Sequence, residues 1–268
     1  MAISLSNIKK TKHATPPRLL IHGREKVGKS TFAASAPNPI FIQTEDGLNG
    51  LDTQAFPLCK TYSEVLEAIN ALATEKHEFK TVVLDSADWL ETLIHDHICK
   101  LDGVADISKA SGGFHRGFGT AANVMKDLLA RLDNLNKNHG MIVIVICHTT
   151  VLQSKDPESE SYDVATLKLH KAASAVLAEW GDVLGYARYP IIVTKNTDGD
   201  FKARDKGLSV MNELIVGKSA SCLSGNRYGL PNKLPLSWQA FEQAFAAQAA
   251  TQAQPIATQG AAQPTISN

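Results

Sequence analysis

Short runs built around consecutive apolar residues recur along the chain as far as residue 148. They occupy residues 18–23, 39–45, 81–85 and 141–148, and more polar stretches separate them. Within each run, neighbouring positions are apolar instead of alternating with polar ones, which is typical of strands that are buried on both faces. The pattern therefore predicts the interior strands of a sheet.

Stretches with helical periodicity lie between these runs and after them. Residues 63–77 and 123–138 have apolar side chains at three- and four-residue spacing, residues 29–36 have helical character, and residues 167–182 form an amphipathic pattern. Strands that alternate with helices predict an α/β fold, in which a mostly parallel sheet carries helices on both faces. Turn signals between β-rich runs at residues 186–218 predict an antiparallel hairpin at the sheet edge.

A change in composition near residue 246 divides the chain. Residues 246–268 contain no charged side chain and no aromatic residue that could help to form a core. Such a composition predicts a disordered Ala/Gln-rich tail. Residues 1–245 are then expected to form one domain.

Charge and cysteine usage limit the classes of protein that the chain can represent. Lys and Arg together number 27, as do Asp and Glu, so the chain lacks the overall basic footprint of many nucleic-acid-binding proteins. The four cysteines are far apart, which argues against a zinc site or a disulfide framework and favours a reduced, cytosolic setting. No membrane partner is expected, because the longest apolar run, residues 141–147, is too short to span a bilayer.

Residues 23–30 read Gly-x-x-x-x-Gly-Lys-Ser, between the first predicted strand and a predicted helix. In this context the pattern forms a phosphate-binding loop, because glycines let backbone N–H groups curl around phosphate oxygens. Lys29 would neutralise phosphate charge and Ser30 would ligate Mg²⁺. The motif thus predicts ATP and Mg²⁺ as ligands of Gly23, Arg24, Glu25, Lys26, Val27, Gly28, Lys29, Ser30 and Thr31.

Carboxylates follow two of the other predicted strands. Asp85 ends the run at 81–85, where it would hold the metal through water beside Ser30. Glu45 ends the run at 39–45, where it would polarise the water that attacks ATP. Both side chains would also suit helix caps or turns.

His148 ends the fourth run and is followed by two threonines. A polar side chain at that position can sense the γ-phosphate and pass its presence to the next loop. The other interpretation is a strand-end histidine with a solvated tip. No second His or Cys is spaced to make it a metal ligand.

The order phosphate loop, strand-Glu, strand-Asp-Ser, strand-polar resembles the RecA-like branch of P-loop ATPases. More narrowly, GREKVGKSTF (23–32), SGGFHRGFGTAAN (111–123), DPESESYDVATLKLHKAASAVLAEWGDV (156–183) and GNRYGLP (225–231) are similar to a phage group. That group comprises small RecA-like ATP-binding proteins implicated in single-strand annealing and recombination. The resemblance covers about residues 15–245 and implies a RecA-like core acting in the cytoplasm of a bacterial host.

The resemblance also implies two DNA-facing loops, here residues 103–120 and 149–166. The first, which we name the candidate DNA loop, carries Lys109, Phe114, Arg116 and Phe118. Interleaved cations and aromatics suit single-stranded DNA, whose bases stack while its phosphates pair with charge. The alternative is a surface loop whose Phe side chains tuck into the core. The second loop is rich in acids, which would repel phosphate.

The ending GNRYGLP resembles the Lys-x-Arg element with which RecA-like hexameric helicases reach a neighbouring subunit's γ-phosphate. Arg227 matches the arginine of that element, whereas Gly225 stands in place of its lysine, so one of the two trans cations is missing unless Lys218 or Lys233 substitutes. Arg227 would then complete the site of a neighbour in a ring or filament. Otherwise it is a surface arginine in a turn.

These expectations combine into an ATPase that acts on single-stranded DNA, by annealing or strand pairing in phage recombination, with a single-strand-binding protein as a further partner. Catalysis would rest on Glu45, Lys29, Arg227 and His148. Two other classes stay open. One is a helicase-like or loader ATPase, and the other is an ATP-dependent switch that recruits proteins and hydrolyses little.

Overall fold

The computed structural model describes Ser4 and residues 15–154, 160–195, 201–205 and 211–253. The helices are α1 (Lys29–Ala34), α2 (Tyr62–Thr74), α3 (Ala87–Asp102), α4 (Arg116–His139), α5 (Lys171–Trp180) and α6 (Trp238–Ala253), with a 3₁₀ turn at Ile107–Lys109. The strands are β1 (Arg18–Gly23), β2 (Pro39–Gln43), β3 (Gln54–Ala55), β4 (Thr81–Asp85), β5 (Ile142–Ser154), β6 (Tyr162–Leu167), β7 (Val183–Arg188), β8 (Ile191–Lys195), β9 (Phe201–Asp205), β10 (Glu213–Ile215), β11 (Gly225–Asn226) and β12 (Lys233–Pro235).

A large mixed sheet organises the chain, with the strand order β12-β10-β7-β1-β5-β4-β2-β3. Its central strands β7, β1, β5, β4 and β2 are parallel, so their carboxyl ends meet at one edge. The predicted strands at 18–23, 39–45, 81–85 and 141–148 all lie in this parallel core. The predicted α/β class with a mostly parallel sheet is confirmed.

Helices cover both faces of the sheet, as predicted. On β5, Val143 and Val145 face the core formed with α2, α3, α4 and α5, whereas Ile144 and Ile146 face the core formed with α1 and α6. All four side chains are almost completely buried. Because successive side chains of a strand point to opposite faces, a continuous apolar run is what such a strand requires.

The antiparallel part of the sheet lies at the edge beyond β7. There β10 pairs antiparallel with both β7 and β12, which confirms the predicted antiparallel edge. The hairpin β8–β9 forms within the same segment as a separate two-stranded sheet. The edge strand and the hairpin are therefore different parts of residues 186–218.

The segment after His148 differs from its prediction. It was expected to be a loop at 149–166 followed by a helix from residue 167, but β5 continues to Ser154 and pairs antiparallel with β6. Helix α5 begins only at Lys171, where the side chain of His170 accepts a hydrogen bond from the N–H of Ala172. Towards the end of β6, buried residues (Ala165 and Leu167) alternate with less buried ones. This two-residue period is that of a strand and not of a helix.

The predicted boundary between domain and tail, at residue 246, falls within helix α6, which continues to Ala253. Residues 254–268, the rest of the predicted tail, lie outside the described residues. Among the helices of the described part of the chain, none is sufficiently long and apolar to cross a membrane.

Candidate functional site

The predicted phosphate loop lies at the carboxyl edge of the parallel strands, between the end of β1 at Gly23 and the start of α1 at Lys29. A Cβ at Gly23 would lie 2.5 Å from the carbonyl oxygen of Ala187 on β7, so only glycine allows β1 and β7 to approach this closely. The turn itself uses left-handed backbone at Lys26 (φ 59°) and Gly28 (φ 103°). Strand, tight turn and helix thus have the arrangement that the motif predicted.

Lys29 is buried beneath the loop. Its Nζ donates to the carbonyl oxygens of Gly23, at 3.0 Å, and Arg24, at 2.9 Å. Burial lowers the pKa of Lys29, while the nearby carboxylates of Asp85 and Glu45 oppose that shift. An incoming phosphate would offer this ammonium a stronger, charged acceptor than the carbonyls that it contacts here.

Ser30 and Asp85 form the pair that was predicted to hold Mg²⁺. The Oγ of Ser30 donates to Oδ2 of Asp85 at 2.6 Å, and burial raises the pKa of that carboxyl. Mg²⁺ prefers hard oxygen ligands and usually binds through one or two carboxylates plus substrate phosphates, rather than in an all-protein cage. The side-chain oxygens present fit that requirement. Within the described residues, no cluster of three or more His, Cys, Asp and Glu could hold a metal by itself.

A cleft of about 390 Å³ opens above the phosphate loop. This volume falls in the range of small-molecule binding sites. The cleft is lined by side chains of the loop, of the strand ends and of the segment after β2: Glu25, Lys26, Gly28, Lys29, Ser30, Thr31, Glu45, Asp46, Gly47, Asn49, Leu51, Asp85 and His148. The candidate base, metal ligands, lysine and sensor therefore share one cavity.

Glu45 and His148 face each other across this cleft. Oε1 of Glu45 lies 3.9 Å from Nε2 of His148. Burial raises the pKa of Glu45, and a positive charge on His148 lowers it again. Two titratable side chains, a carboxyl group and an imidazole, therefore lie side by side in the lining of the cleft.

Asp88 holds His148 in place, and the sequence analysis did not identify it. Its carboxylate accepts from the backbone N–H of His148 at 3.1 Å, and Oδ2 lies 3.0 Å from Nδ1 of the ring. This hydrogen bond raises the pKa of His148, although burial opposes the shift. The spacing Asp85-x-x-Asp88, at the entry to a helix that follows a strand, is the signal that could have revealed this residue.

The remaining residues of the predicted loop contribute in different ways. Arg24, Glu25, Lys26 and Thr31 have exposed side chains, whereas Val27 is 1% exposed and packs in the core. Val27 can therefore contact a phosphate only through its backbone. Sequence reasoning also missed Tyr189 and Asn212, whose side chains hydrogen-bond to carbonyl oxygens of this loop.

The candidate DNA loop, predicted at 103–120, is a loop only between the end of α3 at Asp102 and the start of α4 at Arg116, so Arg116 and Phe118 lie in the first turn of α4. Phe114 projects from it with 92% of its surface exposed, in left-handed backbone at φ 53°. Lys109 and Arg116 flank it and are exposed, and Arg116 donates to the carbonyl oxygen of Gly112 at 3.1 Å. An exposed ring thus lies, along the chain, between two exposed cationic residues.

Phe118 has a different environment from Phe114. Its ring stacks on His170 with centroids 4.2 Å apart and an interplanar angle of 14°, and it meets His95 edge to face. Phe118 is therefore partly used in packing the loop against the start of α5. This contact matches the alternative interpretation, in which Phe residues of the loop tuck towards the core.

Arg227 lies far from the phosphate loop of its own chain. Its backbone N–H donates to the carbonyl oxygen of Asp182, which is paired with Arg18 at the start of β1, whereas the phosphate loop follows the end of β1. The five intervening steps of a strand correspond to about 16 Å. Its side chain, 56% exposed, donates to Asp182 Oδ1 at 2.9 Å and to the carbonyl oxygen of Glu179 at 2.7 Å. Arg227 and the phosphate loop therefore do not form one site within a subunit.

Comparison with known proteins identifies the family of the chain. No curated protein matches the chain. A family model described as an AAA domain matches residues 15–227, which is most of the chain. This match spans the phosphate loop, both carboxylates and His148, and it indicates nucleotide binding, typically with Mg²⁺, and ATP-binding or ATP-hydrolysing activity. The chain belongs to the AAA domain family of P-loop NTPases.

Proposed function

We propose that this protein is a RecA-like ATPase that binds single-stranded DNA in an ATP-dependent manner and promotes annealing or strand pairing in phage recombination. The observation that carries the DNA part of the proposal is Phe114, which is 92% exposed and is flanked along the chain by the exposed cationic residues Lys109 and Arg116. Exposed rings stack on bases of any sequence, and the adjacent cations attract the phosphates. The motifs shared with the phage annealing group support the same assignment.

The cleft supports ATP hydrolysis by residues that are already in place. Lys29 would exchange its carbonyl partners for phosphate oxygens, and Ser30 and Asp85 would hold Mg²⁺. That ion supplies neutralisation of charge on the β- and γ-phosphate oxygens. Glu45, whose pKa is raised by burial against the opposing charge of His148, would accept the proton of the attacking water.

A chain of contacts joins the cleft to the proposed DNA surface. The carbonyl oxygen of His148 accepts from the N–H of Lys168, two residues before His170, and His170 stacks on Phe118 of the candidate DNA loop. The N–H of His170 is in turn held by the carboxylate of Glu91 on α3, at 3.0 Å. A nucleotide that moves His148 would therefore act on the loop through Lys168 and His170. This provides a route for ATP-dependent DNA binding.

Self-association belongs to the same proposal. Arg227 is exposed and distant from its own cleft, so it can serve catalysis only in a neighbouring subunit of a ring or filament. A single-strand-binding protein is the further partner that we propose, because such a protein covers the same substrate. The absence of a lysine at Gly225 leaves Arg227 as the single cation of that element.

The test is fluorescence anisotropy of labelled single- and double-stranded oligonucleotides, at low salt, with and without ATP and Mg²⁺. We expect binding of the single strand that depends on ATP and is abolished in Lys29→Ala. Phe114→Ala should weaken it about tenfold, since stacking contributes roughly 1–3 kcal/mol per base. Leu101→Ala is the matched control, because Leu101 is also an exposed apolar residue near this loop, at 73%, and lies outside the cation pair.

Failure to bind DNA in any nucleotide state would overturn the DNA part of the proposal. If the same preparation still turned over ATP, a loader ATPase would be the better description. If it bound ATP without turnover, a nucleotide-dependent switch that recruits proteins would be favoured instead.

A further inference from the structure

A phosphate loop works only if its backbone N–H groups face the ligand. In a planar trans peptide the C=O and N–H bonds point in opposite directions. Whatever holds a loop carbonyl on the protein side therefore directs the next residue's N–H into the cleft. The partners of the loop carbonyls decide how well the loop is preorganised for phosphate.

Two side chains from outside the motif hold consecutive carbonyls of this loop. The hydroxyl of Tyr189 donates to the carbonyl oxygen of Lys26 at 3.0 Å, and Nδ2 of Asn212 donates to that of Val27 at 2.7 Å. The N–H groups of Val27 and Gly28 belong to the same two peptides and are directed the other way. Tyr189 and Asn212 are not among the residues that line the cleft, so they contact the loop from behind.

The backbone at these positions needs such support. Lys26 has a φ of 59°, a left-handed conformation that is unfavourable for a residue with a side chain. A hydrogen bond to its carbonyl oxygen stabilises that conformation. Gly28 follows at φ 103°, and the side chain of Leu236 lies close behind it, 3.5 Å from where a Cβ would be.

Both side chains are anchored to the antiparallel edge of the sheet. Tyr189 directly follows β7, and Asn212 directly precedes β10. The carbonyl oxygen of Asn212 accepts from the N–H of Leu236, at 2.6 Å, beside β12. The loop is thus braced by an edge of the sheet that is built from later parts of the chain.

We propose that Tyr189 and Asn212 are positioning residues for the polyphosphate of the nucleotide, which orient the N–H groups of Val27 and Gly28 towards its oxygens. They do not touch the ligand. Their contribution is to keep the loop in its binding conformation before the ligand arrives, so it is felt by any ligand with a polyphosphate group. The nucleoside part contributes nothing to this effect.

The experiment measures dissociation constants of the full chain for ADP and for inorganic tripolyphosphate by isothermal titration calorimetry. Asn212→Asp keeps the side-chain shape and replaces the donor with an acceptor that repels the Val27 carbonyl. We expect a loss of at least tenfold for both ligands. Tyr189→Phe removes one exposed hydroxyl, and we expect a loss of about threefold to tenfold for both.

Asn226→Asp is the matched control. Nδ2 of Asn226 likewise donates to a backbone carbonyl, that of Val216 at 2.9 Å, next to the same sheet edge but away from the phosphate loop. We expect this variant to bind both ligands as the unaltered chain does, even if its unfolding temperature falls.

Three results would overturn the inference. One is unchanged affinity for tripolyphosphate in both Tyr189→Phe and Asn212→Asp. The second is an equal loss in Asn226→Asp. The third is an unaltered chain that binds neither ligand. None of these results depends on whether the protein binds DNA.

Discussion

At the scale of single residues, three titratable side chains at the cleft contact one another in a row. Asp88 accepts hydrogen bonds from the backbone and ring of His148, and His148 in turn faces Glu45. The pKa of His148 is raised by the hydrogen bond to Asp88, against the effect of burial, whereas that of Asp88 is lowered by the same contacts, although burial opposes this. The two residues thus favour the ion pair over their neutral forms.

The first prediction concerns the titration of His148. Because its pKa is raised on folding, the stabilisation from its charge is fully present below the ordinary value of about 6.5 and is lost as the pH rises through the raised value. Asp88→Asn removes the main cause of the shift, so His148 should titrate at a lower pH in that variant. NMR titration of the histidine ring protons measures this directly.

The control for this titration is Asp46→Asn, which removes an exposed acid from the lining of the same cleft without touching a partner of His148. Its His148 should titrate as in the unaltered chain. Identical titration of His148 in Asp88→Asn and in the unaltered chain would show that Asp88 does not control its charge.

Residues of the phosphate loop and the strand ends could be identified from the sequence, because their types and order are characteristic. Asp88 has a local signal in its spacing from Asp85, whereas Tyr189 and Asn212 have none. Tyr189 and Asn212 are more than 160 residues from the carbonyls they contact, at separations of 163 and 185 positions. A contact of that kind leaves no local pattern, because it depends on which edge of the sheet reaches the loop.

At the scale of elements, helix α4 shows how packing overrides propensity. Its pattern predicted a helix from residue 123, yet α4 begins at Arg116 and includes two glycines in its first turns. A Cβ at Gly117 would lie 2.0 Å from the carbonyl oxygen of Ile107, whereas nothing lies within 4 Å of one at Gly119. Gly117 therefore permits close packing on the 3₁₀ turn, while Gly119 has no such constraint.

The second prediction compares these two glycines by chemical denaturation. Gly117→Ala should lower the free energy of unfolding by roughly 1–3 kcal/mol, because the backbone of the 3₁₀ turn must move away. Gly119→Ala should raise it by about 0.5–1 kcal/mol, because alanine is the better helix former. Equal effects of the two substitutions would contradict the packing explanation.

Strand β6 is the element for which the sequence was most misleading. Resemblance to DNA-facing loops favoured a loop at residues 149–166, but β5 extends by several residues and pairs with β6 along six positions. The backbone N–H and C=O groups of residues 149–154 pair with those of β6, and only the tertiary structure places β6 next to this segment. Residues 155–159, between β5 and β6, lie outside the described residues.

At the scale of the whole molecule, the amino ends of the parallel strands lie at one edge of the sheet and their carboxyl ends lie at the opposite edge. The cleft lies at the carboxyl ends, and Arg227 lies near the amino end of β7, where it pairs with Asp182. A subunit arranged in this way can present its arginine to a neighbour while it binds nucleotide on the opposite edge. The head-to-tail contact of a ring or filament, as proposed above, would use two different surfaces of the subunit in this way.

The third prediction tests that geometry by mixing subunits. Arg227→Ala and Lys29→Ala chains should each show little ATPase activity alone, the first for lack of a trans cation and the second for lack of nucleotide binding. Mixed together, some interfaces would pair an intact cleft with an intact arginine, so activity should recover to roughly a quarter of the unaltered level if subunits mix at random.

Lys137→Ala is the matched control for the mixing experiment, since Lys137 is a similarly exposed cation, at 57%, that forms an ion pair with Asp133. It should leave activity unchanged. Full activity of Arg227→Ala alone, or no recovery in the mixture, would show that Arg227 forms its ion pair with Asp182 but takes no part in catalysis in a neighbouring subunit.

The sequence by itself determined the parallel core and the phosphate loop, because continuous apolar runs and a spaced glycine motif act through local conformation and burial. It also indicated that Glu45, Asp85 and His148 lie at or near the carboxyl ends of the parallel stretches of β2, β4 and β5. The tertiary structure decided that the side chains at these ends line one cleft. It also decided that Asp88 hydrogen-bonds to His148 and that Tyr189 and Asn212 hydrogen-bond to the phosphate loop. Those features arise from strand order and long-range contact, and neither is encoded in the spacing of neighbouring residues.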